Sequence, residues 1–196
     1  KARSRTGASS SSRRPATTEV DPAAGRGLVS DVSRETDRGP AVRLMRACAA
    51  HAIPVSALTA GALVAFLDRL ALEPQNLTAI DGVNSGVDRH LADSLVALTV
   101  DAVRQSRRLC DLGSGGGFPG IPLAMLLPEC AVTLVESEGT KADWLARATA
   151  GSPNVCVVAD RSETLARDTR ESWDVVTARA VGALPVLIAG STAELA

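Results

Sequence analysis

The sequence predicts an α/β fold, a parallel sheet covered by helices, preceded by a small helical region. Three observations carry this. Between residues 41 and 100, apolar residues recur at three- and four-residue spacing, the period of a helix with one buried face. After Ser106 the period changes, and four short apolar runs alternate with helical stretches. Such alternation joins strands by crossovers, so the strands run parallel and helices cover both faces. The third observation is a glycine-dense run where the first strand gives way to a helix.

The elements follow in order. Residues 1–40 are rich in Ser, Arg, Pro, Gly and Thr and poor in large apolar residues. Such a segment cannot bury enough surface to offset its ordering entropy, so a disordered basic tail is expected. The chain begins at Lys1 rather than Met, as a fragment or a processed product would. The helical region spans 41–100. Val42, Met45 and Ala49 mark a first helix. Leu58, Leu63, Phe66, Leu67 and Leu70 mark a second, separated by Pro54 and capped by Ser56. A third helix is expected over 87–100, with Leu91, Leu95 and Leu98 facing inward.

The sheet-forming part spans 101–196. Strands are expected over 108–112, 132–136, 154–159 and 173–177. Helices follow them over 118–127, with prolines in the first turn, 141–150, 163–167 and 184–189.

Composition narrows the class. The chain has 196 residues, 45% of them hydrophobic, so a core can form. With two Phe, two Trp and no Tyr, that core must be built from Ala, Val and Leu. No apolar run approaches the roughly 18 to 20 residues of a membrane span, and no secretory signal pattern is present. A soluble cytoplasmic protein is expected. Cys48, Cys110, Cys130 and Cys156 form no Cys-x-x-Cys pair and have no His at ligand spacing, so they are expected to be small buried hydrophobes rather than metal ligands. Residues 1–40 carry a net +3 and the remainder −4, so overall charge is no sign of nucleic-acid binding.

The chemistry concentrates in Asp111-Leu-Gly-Ser-Gly-Gly-Gly-Phe-Pro-Gly120. Five glycines in eight residues at a strand-to-helix junction make the loop of a Rossmann-like nucleotide site, at the carboxyl ends of the strands. No Gly-Lys-Ser/Thr is present, so it is not a P-loop. Gly115, Gly117 and Gly120 match the spacing of the dinucleotide fingerprint, which leaves an NAD-binding oxidoreductase open. Asp111 points elsewhere. At the strand end it would meet the cationic amino group of a methionine moiety and repel a pyrophosphate. Glu136, at the end of the next strand, can accept both hydroxyls of a ribose, a role common to NAD and S-adenosylmethionine sites. No Ser/His/Asp or Cys/His constellation accompanies the loop.

Several ordered motifs carry a resemblance. Ala52-Ile-Pro-Val55, Gln75-Asn-Leu-Thr-Ala-Ile80, Arg89-His-Leu-Ala-Asp-Ser94, Asp111 to Pro122, Val132-Thr-Leu-Val-Glu-Ser137, Asn154-Val, Asp160-Arg-Ser-Glu163 and Asp174-Val-Val-Thr-Ala-Arg-Ala180 stand in one order over residues 42–188. Together they resemble the bacterial small-subunit rRNA guanine-N7 methyltransferases, RsmG or glucose-inhibited division protein B. The resemblance implies a Rossmann-like methyltransferase domain behind a helical region. It implies S-adenosylmethionine as cofactor, and a guanine of 16S rRNA in the small ribosomal subunit as substrate. It also implies that Gly113 and Phe118 touch the cofactor, that Ser162 and Glu163 flank its adenine, and that Arg179 belongs to the pocket. His90, with Arg89 and Asp93, would have a role of unspecified kind.

The departures are specific. Leu72-Glu-Pro74 stands where the family shows Trp-Asn, and Asp160 where Gly is common. The chain ends at Ala196, soon after the fourth strand and its helix, so the sheet is expected to be truncated at its C-terminal strands. A catalytically inactive remnant of the methyltransferase is the reading that such a truncation supports.

Arg179, which follows an apolar strand, can meet a cofactor carboxylate, an RNA phosphate or a guanine edge. Its structural alternative is an ion pair with Asp174 or Glu163. For Arg89 and Asp93, at i,i+4 spacing, the alternative is a surface pair beside a packing histidine.

Overall fold

The computed structural model describes residues 39–74, 83–161 and 173–179. Most of the 1–40 tail, the motif from Gln75 to Ile80, the helices expected over 163–167 and 184–189, and the site residues Ser162 and Glu163 lie outside the described residues.

Helix α1 (Pro40–Ala49) starts on a proline, whose fixed φ suits a first turn. It closes with two reaching bonds: Ile53 N donates to Cys48 O and Ala52 N to Ala49 O, both at 3.0 Å. This closure requires a left-handed residue, and Ala52 supplies it at φ +56°. Leu44 and Cys48 are the buried residues of α1. The expected stripe was Val42, Met45 and Ala49, but Val42 and Met45 are half-buried and Ala49 is exposed. An Ala-rich helix offers two adjacent stripes, and packing against its neighbours selects the one with Leu44.

Helix α2 (Ala57–Ala71) is capped as expected: Ser56 Oγ accepts from Thr59 N at 3.0 Å. Its buried stripe includes Leu63, Phe66, Leu67 and Leu70. Leu58, assigned to the same stripe, is 86% exposed. Five residues before Leu63 is about 140° around the helix, which puts Leu58 off the buried face.

The third helical stretch begins earlier than expected and is not uniform. It runs through α3 (Val83–Gly86), a π-helical turn (Val87–Ala92), α4 (Asp93–Val96) and a 3-10 turn (Ala97–Thr99). Leu91, Leu95 and Leu98 are buried, as the periodicity predicts. The short α5 (Asp101–Arg104) leads to the sheet.

Strands β1 (Arg108–Leu112), β2 (Ala131–Val135), β3 (Val155–Val158) and β4 (Val175–Ala178) form one parallel sheet in the order β3-β2-β1-β4. Helices α6 (Gly120–Leu126) and α7 (Gly139–Ala148) are the crossovers from β1 to β2 and from β2 to β3. The chain therefore winds outward from β1 in one direction and returns to pair β4 on its other side. That reversal, at the carboxyl end of β1, is the place where ligands of such sheets bind.

Alternation along the strands divides the core. Leu109, Val132 and Leu134 join the cluster that holds Leu44, Leu67, Leu91, Leu123 and Trp144. Cys110, Leu112 and Val135 face the other way, against Val158, Trp173 and Val176. Cys48, Cys110 and Cys130 are buried, but Cys156, on the outermost strand of the sheet, is exposed and departs from the expectation. Among the described residues no helix is long and apolar enough to cross a membrane.

Candidate functional site

The carboxyl ends of β1 and β2 lie side by side, with Leu112 in register with Val135. The loop leaving β1 turns back at once: Ser114 N donates to Val135 O at 3.0 Å, and Ser114 Oγ to Asp111 O at 2.9 Å. Left-handed backbone recurs at Gly113, Gly115 and Gly117, with φ of +65°, +55° and +103°. Side chains seldom adopt these angles, so glycine is the natural residue at each.

Two of these glycines differ in what surrounds them. At Gly117 a Cβ would lie 2.5 Å from Ile121 Cδ1 and 3.2 Å from Phe66 Cζ, so this glycine faces the core. At Gly115 a Cβ would meet nothing nearer than the Gly113 carbonyl oxygen at 3.8 Å. The loop is hollow there.

Glu136 is bonded to the same residue. It is 7% exposed, and each carboxylate oxygen accepts one backbone N–H at 2.9 Å, Oε2 from Gly115 and Oε1 from Glu138. A carboxylate oxygen has two lone pairs, so each retains acceptor capacity for a further donor. Trp144 braces the loop, its Nε1 donating to Gly116 O at 3.3 Å.

Asp111 occupies a different environment from the one the sequence suggests. It is 0% exposed. Oδ2 accepts from Gly120 N at 3.1 Å, and Oδ1 from Thr177 Oγ1 at 2.8 Å. The carboxylate thus fastens the first turn of α6 to β4. Burial pushes its pKa up to about 6, against the hydrogen bonds from Thr177, Ser114 and Gly120 and the charge of Arg179.

Phe118 is buried, and its ring is where the third helical stretch meets the loop. The His90 ring stacks on it, with centroids 4.5 Å apart and planes 11° from parallel. Phe66 packs at a tilt, 5.3 Å away. The Arg179 guanidinium lies 5.2 Å from the Phe118 centroid. Arg179 also meets His90 Nδ1 at 2.9 Å, Arg89 O at 3.0 Å and Asp93 Oδ2 at 3.6 Å. Of the two ion pairs anticipated for Arg179, the one with Asp174 does not form, and Glu163 lies outside the described residues. Asp174 instead accepts from the amides of Arg107 and Arg108, both at 2.8 Å, at the opposite end of β4. Asp93, read from spacing as a partner of Arg89, turns to Arg179. The π-helical turn changes which residues of this segment share a face. Burial, then the Arg179 charge, hold the His90 pKa down to about 4 against the pull of Asp93.

These observations place Asp111, Gly113, Gly115, Gly117, Phe118, Glu136 and Arg179 around one end of the sheet, with His90 and Asp93 beside them. A family model described as rRNA small subunit methyltransferase G matches residues 61–194. The chain belongs to this family. It is 49% identical over 102 residues to the ribosomal RNA small subunit methyltransferase G of Rubrobacter xylanophilus, which covers 50% of the chain and 39% of that relative. The corresponding protein of Sorangium cellulosum is 41% identical over 146 residues, 71% of the chain and 61% of the relative. That of Roseiflexus castenholzii is 48% identical over 117 residues, 58% of the chain and 50% of the relative. The chain thus spans about half the length of the curated relatives it matches. Family membership decides between the two nucleotide readings of the glycine loop in favour of the methyltransferase family.

Sequence reasoning missed Thr177 and Trp144. Thr177 sits in register with Asp111 across the β1–β4 pair, a neighbour that only the strand order reveals. Trp144 carried a usable signal: a lone indole on the helix after Glu136, whose N–H needs an acceptor when buried.

Proposed function

We propose that this chain is the cofactor-binding part of an S-adenosylmethionine-dependent methyltransferase that modifies N7 of a guanine in 16S rRNA, working on the small ribosomal subunit in the cytoplasm. The observation that carries this reading is the open space at Gly115 beside the Glu136 carboxylate that accepts its N–H. A ribose diol presents two O–H donors, and Glu136 presents two buried oxygens with spare acceptor capacity. The open volume over Gly115 suits a ligand that approaches the backbone closely. In this reading Glu136 takes the ribose, Gly113 and Gly115 line the cofactor's path, and Ser162 with Glu163 flank the adenine. Gly117 and Phe118 support the loop from the core side. Asp111 acts through the loop it fastens, setting the hollow's shape rather than touching the amino group.

The cofactor supplies an electrophilic methyl group on a sulfonium. Guanine N7 carries an available lone pair, so the chain needs no general base and none is assigned. Its residues bind, orient and exclude water, and rate comes from in-line placement. Arg179, at the end of β4, belongs to the same pocket, where it can meet the cofactor carboxylate, an RNA phosphate or the guanine edge.

Transfer of labelled methyl to unmethylated 30S subunits, or to their naked rRNA, tests the reading. Incorporation at guanine N7 is expected. Cofactor binding without incorporation would mark the chain as a remnant, and a thermal shift with NADH but none with S-adenosylhomocysteine would sink the cofactor assignment. Gly115→Val should abolish S-adenosylhomocysteine binding, because the side chain enters the hollow. Unchanged affinity in a folded variant would place the cofactor elsewhere.

A further inference from the structure

The glycine loop rests on a helix that belongs to neither the sheet nor its crossovers. Phe66, on α2 and 3% exposed, reaches three consecutive loop residues. At Gly117 the space a Cβ would take is closed by Phe66 Cζ, 3.2 Å away. At Phe118 the two rings pack with centroids 5.3 Å apart. At Gly116 the reach is indirect. Phe66 stacks on Trp144, with centroids 6.3 Å apart and planes 23° from parallel, and Trp144 Nε1 donates to Gly116 O at 3.3 Å. Trp144 comes from α7 and is buried, so its N–H is satisfied by the loop rather than by water. The end of α2 grips α7 as well. Arg69 lies over the indole, 5.9 Å from its centroid, and Glu73, just past α2, pairs with Arg147 at 3.1 Å.

The loop needs such a support. Gly115, Gly116 and Gly117 have no side chains to pack, and glycine loses more backbone freedom on ordering than any other residue. The loop keeps its shape when Gly115 N stays on Glu136 Oε2, 2.9 Å away, and Gly117 N on Ser114 O, 2.7 Å away. The peptide joining Gly116 to Gly117 is fixed at its oxygen by Trp144. A ligand that binds one loop shape loses affinity in proportion to the molecules that stand outside that shape.

We infer that Phe66 and Trp144 are positioning residues for cofactor binding: the ring of one and the N–H of the other hold residues 116–118, so that Gly115 N stays on Glu136 before any ligand arrives. The helical region is then part of the site's frame rather than an appendage. The inference deepens the cofactor reading above and rests on it for the identity of the ligand.

Two variants remove the two holds separately. Trp144→Phe keeps a ring beside Phe66 and loses the N–H. Phe66→Leu keeps an apolar side chain and loses the ring. Leu70→Val is the control, since it weakens the same buried face of α2 at a residue with no part in the hold. Amide hydrogen exchange of the ligand-free chain, read residue by residue, is measured beside calorimetry with S-adenosylhomocysteine. Gly115 and Gly117 should exchange about fivefold faster in Trp144→Phe, the scale of one neutral hydrogen bond, and at least as much faster in Phe66→Leu. S-adenosylhomocysteine affinity should fall about threefold to tenfold in both. Leu70→Val should lower stability in urea yet keep both readouts within about twofold of the parent. Unchanged Gly115 exchange in the two variants overturns the inference, as does a Leu70→Val chain that matches them. Faster exchange with unchanged S-adenosylhomocysteine affinity overturns it too, because the order of the loop would not matter to the ligand. Should the parent not bind S-adenosylhomocysteine while the two variants alone speed Gly115 exchange, the cofactor reading fails and the hold on the loop stands.

Discussion

Replacing Asp111 with Asn isolates the cost of one buried charge. The carboxyl has no exposed surface, and burial raises its pKa from 3.8 to about 6. A raised pKa means that the fold prefers the protonated form. The associated stability is fully present below the unfolded value near pH 4 and is lost as pH rises through about 6. Two pKa units correspond to about 3 kcal/mol, an order-of-magnitude ceiling for what the ionised form gives up at neutral pH. Asn keeps the shape and the bonds. Its oxygen can accept from Gly120 N, and its NH₂ can donate to Thr177 Oγ1, whose own hydrogen can turn to Cys110 O at 3.4 Å. The Asn variant should therefore be more stable than the parent at pH 7, by about 1 to 3 kcal/mol. Urea unfolding of both chains across about pH 4 to 8 provides the assay. The stability difference should grow between pH 4 and 6 and then level off, because every other titrating group cancels. A difference that stays flat over that range would refute the reasoning, since it would mean that Asp111 does not titrate there. A less stable variant at pH 7 would show that the ionised carboxylate is a net gain.

Three further outcomes follow from local geometry. Ala52→Gly should raise stability by about 0.5 to 1 kcal/mol in urea unfolding, because Ala52 sits at φ +56° and glycine escapes that strain at some entropic cost. Gly120→Ala should cost about 2 to 3 kcal/mol by the same measurement: its Cβ would overlap the Leu134 Cδ2 methyl and lie 2.8 Å from Asp111 Oδ2. Ser56→Ala should cost about 1 kcal/mol through loss of the α2 cap, read as a lower thermal midpoint.

What could be read from the chain was what short-range physics sets. Strand and helix periods, the Ser56 cap and the glycine loop between β1 and α6 all depend on residues close in sequence, and all were legible. So was Glu136 as the acid at the end of the second strand, since it follows an apolar run directly. The inward face of α2 was legible from Leu63 to Leu70, but Leu58 was not separable from it without the neighbouring elements.

Partners far apart in sequence were another matter. Whether Asp111 faced a ligand or the interior depended on Thr177, which reaches it only because β4 pairs beside β1. Among the described residues the carboxylate paired with Arg179 is Asp93 rather than Asp174, a neighbour that lies far away in sequence. By itself, then, the sequence determined the order of the elements and the glycine loop between β1 and α6, since hydrophobic period and backbone freedom are local. Only the tertiary structure decided what each charged group faces. A buried charge answers to whichever elements close around it, and strand order and helix register settle that.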